Sequence, residues 1–349
     1  MPAHVTRPTV DHPDNWVTTD DICDNITQHH PDHPKLGTVL RVVRNTGVQR
    51  RALHHPLDSD QISGNLGVAD RNQQAWLDAS TLAETVAKRA LEDAGLQPRD
   101  ITAIVTSNTT SWACPGLDVH LVEQLGLRPD VRRIALATVG CIGGAQALTR
   151  AADLVTARPG SRVLVVVSEA LSTIYHHGDT SIESMIYKAL FGDSAAACIV
   201  TADQLQPGMR IDDTWEYLLP NSRDRYWGRI DEAGIHFDST RAATTAPTDA
   251  MPALVDWLKQ RDAHEPDWTD IHAGGPVILN AVQQGLGLTA VQLAHSWASL
   301  AQVGNLGGAS VLDVLRRTHD TPPAAGDRGV MLAYGPGFTI AALTGTWIS

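Results

Sequence analysis

Between residues 69 and 94, apolar side chains recur every three or four positions (Trp76, Leu77, Leu82, Val86, Ala90, Leu91), and Gly95 follows. That spacing predicts one long amphipathic helix with a glycine stop. Apolar runs at 101–106, 162–168 and 195–200 read as strands, and helical patterns near 117–125 and 145–157 lie between them. Strands alternating with helices imply an α/β fold, a sheet covered by helices on both faces. The first 35 residues are rich in His, Pro and Asp, with one short amphipathic stretch at 20–27. No strand is legible in residues 1–15.

A repeat runs through this pattern. Val139-Gly140-Cys141-Ile142-Gly143-Gly144-Ala145 recurs 164 residues later as Val303-Gly304-Asn305-Leu306-Gly307-Gly308-Ala309. Each copy leads into an amphipathic stretch, at 146–154 and 310–317. Asp100-Ile101 and Asp270-Ile271 each open a predicted strand, and Phe191-Gly192-Asp193 and Tyr334-Gly335-Pro336 each precede another. Three matches in the same order indicate two related halves, 1–205 and 206–349, meeting around residues 203–209. Packing about a pseudo-two-fold axis makes the Cys141 and Asn305 turns equivalent helix starts that face one another. Paired glycines permit close backbone approach there, and unpaired N–H groups at a helix start lower a thiol's pKa and offer donors to an oxyanion.

Composition narrows the reading. The 349 residues are 43% hydrophobic and 19% charged, which excludes wholesale disorder, and 27 Lys+Arg against 39 Asp+Glu give a net charge of −12. Such an acidic balance excludes a general nucleic-acid binder. The N-terminus lacks an apolar signal core, and the longest aliphatic run, 163–167, is too short to span a bilayer. The expectation is a soluble cytoplasmic protein without membrane association. Seven histidines precede residue 60 without metal-site spacing and read as surface residues, so no metal is expected.

Cysteines 23, 114, 141 and 198 form no CxxC pair. Free cysteine usually serves as a small buried hydrophobe, and Cys198, in an apolar strand, fits that description. Cys141 differs, because a strand-to-helix turn between glycines has no packing need for a thiol. His272 ends a predicted strand before Ala273-Gly274-Gly275-Pro276, where side chains of α/β folds emerge into active sites. Asn305 is singled out by the repeat. Cys, His and Asn in this order, with 131 residues from Cys141 to His272, also describe a papain-like protease. That enzyme's cysteine stands near the mature N-terminus and its fold has no duplication, so hydrolysis is a distant alternative.

Five segments in order carry a family resemblance: Gly140-Cys141-Ile142-Gly143-Gly144, Leu190-Phe191-Gly192-Asp193-Ser194-Ala195-Ala196, His272-Ala273-Gly274-Gly275-Pro276-Val277-Ile278-Leu279, Gly304-Asn305-Leu306-Gly307-Gly308-Ala309-Ser310-Val311-Leu312 and Gly335-Pro336-Gly337-Phe338-Thr339. From about residue 70 to the end, the chain resembles a type III polyketide synthase, the chalcone synthase-like branch of the thiolase fold. The resemblance implies a five-layered thiolase-like α/β fold of two pseudo-two-fold halves, working as a homodimer. It implies that Cys141 takes an acyl group from acyl-CoA. His272 and Asn305 then stabilise the enolate formed when malonyl-CoA loses CO2, and the product is a short polyketide. No cofactor is implied beyond the CoA thioesters, and a carrier protein is a further partner class.

The resemblance also assigns the surroundings. Phe191 and Phe237 match gatekeeper aromatics, although core packing accounts for either equally well. Arg41 and Arg44, in a cluster with Arg50 and Arg51, match a segment that binds CoA phosphates; a solvated face is the plain alternative for each. Trp112 and Cys114 fall in a segment lining the cavity near the dimer contact, Trp227 precedes the cavity glycine Gly228, and Gly307 follows the asparagine. Gly335, Pro336 and Gly337 match the oxyanion and cavity loop. If Trp112 and Trp227 face the cavity, their bulk shortens the product. Rival readings are acyl transfer without extension, a ketosynthase III-like single condensation at the same site, and a catalytically silent partner subunit. Starter, extension number and cyclisation depend on cavity volume rather than on motifs.

Overall fold

The computed structural model describes residues 2–349. Each strand of the large sheet sorts its side chains onto two faces, and that sorting defines the layers. Along Arg162–Glu169, Val163, Val165 and Val167 enter one core while Leu164 and Val166 enter another. Ser194–Thr201 repeats the division, with Ala196, Cys198 and Val200 against Ala195, Ala197 and Ile199. In the other half, Met331 and Ala333 of Arg328–Gly335 share the first core, whereas Val330, Leu332 and Tyr334 enter a third. Apolar residues on both faces are what a sheet between two helical layers requires.

The shared core is the middle of the molecule, filled by the two repeat helices Gly143–Ala157 and Ser310–Thr318. One outer layer holds Val68–Asp93 and Leu117–Leu125. The other holds Ala246–Lys259, Pro276–Leu286 and Ala294–Val303. The order is therefore helix, sheet, helix, sheet, helix, the five layers expected. Where the repeat turns meet, a Cβ on Gly144 would collide with the Gly308 carbonyl, and one on Gly308 would lie 3.3 Å from the Gly143 Cα. The paired glycines are the price of bringing both turns to the centre.

Strand order is Arg132–Ala137, Ala103–Asn108, Arg162–Glu169, Ser194–Thr201 on one side and Trp268–Ile271, Arg328–Gly335, Thr339–Ile348, Gly208–Leu218 on the other. The N-terminal strand illegible in the sequence exists. Ala3–Val5 pairs antiparallel with both Ser194–Thr201 and Gly208–Leu218 and joins the two sides. Three residues are too few to display a period of two, so no pattern announced it. Two other expectations shift. The long helix buries a stripe of alanines, among them Ala75, Ala79, Ala83, Ala87 and Ala90, and leaves Leu77 half-exposed. Asp100 belongs to a 3-10 turn, Pro98–Asp100, with its carboxylate accepting from the Gln97 N–H at 2.8 Å, and the strand begins only at Ala103.

Candidate active site

Cys141 sits in the 3-10 turn Gly140–Ile142 that opens the central helix Gly143–Ala157. Gly140 has φ +60°, its N–H donates to Thr109 Oγ1 at 3.0 Å, and a Cβ there would stand 2.7 Å from Pro336 Cδ. Only glycine satisfies both the left-handed backbone and the close contact. The equivalent Asn305 is held from four sides. Its N–H donates to Leu190 O at 2.8 Å and its carbonyl accepts from Gly192 N–H at 3.0 Å, so its backbone brackets Phe191. Its side-chain Oδ1 accepts from Gly307 N–H at 2.9 Å, and Nδ2 reaches Gly274 O at 3.4 Å. With Oδ1 engaged by a donor, the amide is oriented to present its NH2 group.

His272 follows the strand Trp268–Ile271, and its N–H donates to Leu332 O at 2.8 Å. A Cβ on Gly274 would come within 2.7 Å of His272 Nε2, so the glycine is what lets the ring lie where it does. His272 Nδ1 is buried without a partner. A buried polar atom without a partner costs stability unless a ligand or water uses it. Cys141, His272 and Asn305, each at most 7% exposed, all border one cavity of about 410 Å³ whose lining is otherwise mostly apolar, including Val42, Tyr187, Ile278 and Phe338.

Burial governs the site's electrostatics. It pushes the Cys141 thiol up to about 12, the Glu169 charge adds to this, and hydrogen bonds from Asn305 and the local backbone act only partly against it. Desolvation thus acts against the lowering expected from the helix start. Burial alone pulls His272 down to about 3. The resting site therefore holds a neutral thiol and a neutral imidazole. Glu169, which the sequence reading missed, ends the strand Arg162–Glu169 behind Cys141. Its Oε2 accepts from Thr109 N–H at 3.0 Å and its Oε1 has no partner. Burial raises this carboxyl to about 8, against the lowering effect of hydrogen bonds from Thr109 and Thr110. A carboxylate ending an otherwise apolar strand was the available signal.

Cys141 also borders a second, inner chamber with room for only about 10 Å³, walled by Glu169, Phe191, Tyr226, Phe237, Gly307 and Pro336. The Phe191 and Phe237 rings pack 5.9 Å apart. Gly335 lines the larger cavity. Tyr187 and Tyr226, unnoticed in the sequence, complete the aromatic cluster, with ring centroids 5.9 Å apart.

Other expected residues lie elsewhere. Trp112 is 74% exposed, its backbone clamped by Asn72, whose Oδ1 accepts from Trp112 N–H at 2.7 Å and whose Nδ2 donates to Trp112 O at 2.8 Å. Cys114 is exposed as well. Trp227, Gly228 and Gly337 border a separate open cleft of about 610 Å³. Strand alternation explains Trp227: Gly228 pairs with Phe237 in the hairpin of Tyr226–Asp231 and Gly234–Ser239, so Gly228 and Tyr226 share the inner face, a Cβ on Gly228 lying 3.2 Å from the Phe237 ring, while Trp227 takes the outer face.

Arg41 and Arg44 are exposed in the last turn of Leu36–Arg44, beside Val42, Asn45 and Thr46 of the larger cavity. Arg44 Nε lies 3.7 Å from Asp20. Arg51 leaves the cluster altogether: it is fully buried and donates to Ala189 O and, at 3.0 Å, to Thr19 Oγ1. Arg50 stacks on Trp16 at 4.5 Å. Among the described residues no helix is long and apolar enough to cross a membrane, and no group of three His, Cys, Asp or Glu is arranged to hold a metal ion.

Comparison with known proteins agrees with this architecture. Residues 33–204 match the N-terminal domain model of chalcone and stilbene synthases, and residues 211–346 match the C-terminal domain model. Phloroglucinol synthase of Pseudomonas fluorescens is 32% identical over 344 residues, covering 97% of this chain and 98% of that protein. The crystal structure of 1,3,6,8-tetrahydroxynaphthalene synthase from Streptomyces coelicolor, a bacterial type III polyketide synthase, superposes with a TM-score of 0.95 at 32% identity, covering 99% of both chains. Germicidin synthase from the same organism, also a type III polyketide synthase, gives a TM-score of 0.94 at 32% identity over the whole of both chains. Two family models that together match most of the chain, and relatives and a superposed backbone that cover nearly all of it, make this chain a member of the chalcone and stilbene synthase family, the type III polyketide synthases.

Proposed function

We propose that the chain condenses CoA thioesters by decarboxylation, with Cys141 as nucleophile and His272 and Asn305 as the enolate-stabilising pair. The observation that carries this reading is the convergence of these three buried residues on one mostly apolar cavity. His272 takes the Cys141 proton as sulfur attacks the acyl-CoA carbonyl, and returns it to the departing CoA thiolate. An acyl group is then held on Cys141 and the imidazole is neutral again.

Malonyl-CoA enters the same cavity. Its C–C bond to the carboxylate breaks, CO2 leaves, and the electron pair passes into the thioester enolate. Neutral His272 and the Asn305 Nδ2 donate to the enolate oxygen, and burial strengthens both interactions. The enolate carbon attacks the Cys141 thioester, the C–S bond breaks, and the extended chain leaves on CoA. Glu169 faces the chamber behind the sulfur with one oxygen unpaired, and we assign it to contact with the growing chain's oxygens.

The pantetheine arm would run past Val42, Asn45 and Thr46, with Arg41 and Arg44 at the rim for the CoA phosphates. The half carrying the nucleophile is residues 1–205 and the half carrying His272 and Asn305 is residues 206–349. A homodimer is supported by the largely exposed edge strand Arg132–Ala137 and the clamped, exposed Trp112. Incubation with a panel of acyl-CoAs and labelled malonyl-CoA, read by intact-protein and product mass spectrometry, tests the reaction. An acyl adduct on Cys141 and labelled, CO2-depleted product are expected; acylation that persists in Cys141→Ala would overturn the assignment.

A further inference from the structure

One of the seven histidines before residue 60 is no surface residue. His54 follows the strand Arg50–Leu53 with its side chain 10% exposed, and its ring Nδ1–H donates to Asp193 Oδ2 at 2.8 Å. The fully buried Asp193 carboxylate accepts three further hydrogen bonds, from His54 N–H at 2.7 Å and from the N–H and Oγ of Ser172, both at 2.6 Å. Asp193 N–H donates to Ala52 O at 2.8 Å. Among the described residues the His54 imidazole is the one basic group paired with this carboxylate, and a carboxylate so buried needs a positive partner. Burial acts against a charge on His54, but the Asp193 charge and hydrogen bond, with Asp78 of the long helix, outweigh it and raise the ring's pKa above 6.5. The other titratable groups beside this pair are His55, its ring 6.4 Å from that of His54 and its Nε2 on Asp78 at 2.7 Å, and His12, whose Nδ1 lies 3.2 Å from the Asp193 carbonyl.

Asp193 adjoins the backbone that seats Asn305. Gly192 N–H donates to Asn305 O at 3.0 Å, and Leu190 O accepts from Asn305 N–H at 2.8 Å. The segment has no slack, because a Cβ on Gly192 would stand 2.5 Å from Val303 O. A shift at its Asp193 end is therefore passed to the Asn305 peptide and to the amide it carries. The Cys141 turn is anchored elsewhere, by Gly140 N–H on Thr109 Oγ1. Loading, which uses Cys141 and His272, and decarboxylation, which uses Asn305, can thus respond separately.

We propose that His54 is a positioning residue for decarboxylation: as imidazolium it balances the buried Asp193 carboxylate, holds the 190–193 backbone against Asn305, and so presets the Asn305 amide for the enolate. This deepens the condensation reading above and rests on it. As pH rises through the raised pKa of His54, Asp193 keeps a neutral hydrogen bond but loses its counter-charge, and the amide is less firmly preset. His54→Asn reproduces that neutral state at every pH, because its amide NH2 takes the place of Nδ1–H.

The test measures labelled CO2 release from malonyl-CoA and, separately, the Cys141 adduct from acetyl-CoA, in the parent, His54→Asn and His54→Ala between pH 6 and pH 9. At pH 6 the parent should release CO2 about tenfold faster than His54→Asn, and the ratio should close towards unity as pH rises to 9. Glu169, at about 8, titrates in both proteins and cancels in that ratio. Acetyl loading should differ by less than about twofold between the two at each pH. His54→Ala, which removes the donor as well, should be at least as slow as His54→Asn throughout while still loading acetyl. A parent-to-Asn ratio that stays flat with pH, loading that falls in step with CO2 release, or His54→Ala faster than His54→Asn overturns the proposal and leaves the condensation reading standing. No CO2 release and no adduct in the parent would overturn the condensation reading, and this inference with it.

Discussion

The Gly140–Ile142 turn and its repeat counterpart at 304–307 share a backbone plan and part company in how the central side chain is held. Both begin on a left-handed glycine, Gly140 at φ +60° and Gly304 at φ +79°, and both run into central-layer helices packed against each other. Asn305 is tied through its N–H, its carbonyl and both side-chain polar atoms. Cys141 is fixed through its turn and borders two cavities, one of about 410 Å³ and one of about 10 Å³. A donor that must meet a developing oxyanion gains from immobility, because its orientation is set before the reaction. A nucleophile that must accept acyl groups and release them needs free volume around the sulfur. In the proposed reaction, the hydrogen bonds around Asn305 would fix a donor and the space beside Cys141 would serve acyl exchange.

The largest expected difference between the two turns is chemical. Cys141→Ala should abolish the acyl-enzyme completely. Asn305→Ala should still load an acyl group while malonyl-CoA decarboxylation falls about 10²–10³-fold, as measured by release of labelled CO2. Decarboxylation at the parent rate in that variant would mean that Asn305 is not the donor to the enolate.

Next in size is the pH dependence of the sulfur. With the thiol near 12 and His272 near 3, the thiolate is a minor form throughout the neutral range. The rate of iodoacetamide alkylation at Cys141 should rise about tenfold per pH unit from 6 to 9. A plateau beginning below pH 7 would mean that a thiolate–imidazolium pair exists before substrate arrives.

A stability effect should follow from Glu169 in the wall behind the cysteine turn. Its folded pKa of about 8 lies above the ordinary 4.5, so the folded state binds the extra proton between those values. Its contribution is complete below pH 4.5 and is lost as pH rises towards 8, by about 3–5 kcal/mol if the full shift is realised. Glu169→Gln should flatten that slope in denaturant melts. His272 acts in the opposite direction, losing stability as pH falls from 6.5 towards 3, which leaves the Glu169 window readable above pH 6.5. The smallest effect belongs to Trp227→Ala. Because that ring borders the outer cleft, the ratio of octanoyl to acetyl extension should change less than twofold. A larger change would place that ring on the Cys141 side of the strand.

Much of the fold and the central trio was legible in advance because their signals are local. Apolar runs at 162–168 and 195–200 have the length of buried strands, and the glycines around residues 141 and 305 mark turns whose backbone excludes a Cβ. His272 was marked by the Gly-Gly-Pro that follows it, and one of those glycines is needed to seat the ring. The resemblance extended these local signals to a mechanism. Illegible elements were those whose signal is shorter than a period or lies in a partner. Ala3–Val5 is one, and Arg51 is another: its charge suggested a surface, whereas the carbonyl of Ala189 and the hydroxyl of Thr19 wait for it in the interior.

What the sequence alone determined is the alternation of strands and helices, the duplication, and the three side chains whose positions follow from glycine turns and strand ends. Those properties depend on contacts between near neighbours in the chain, which a linear pattern records. The tertiary structure decided which of Tyr226 and Trp227 faces Cys141, how far burial shifts the thiol and Glu169, and how small the space behind the sulfur is. Each of these depends on the register of Gly228 against Phe237, or on desolvation by residues far away in sequence, such as Thr109, Phe191 and Pro336. Volume and dielectric are properties of the packed assembly, and no single segment carries them.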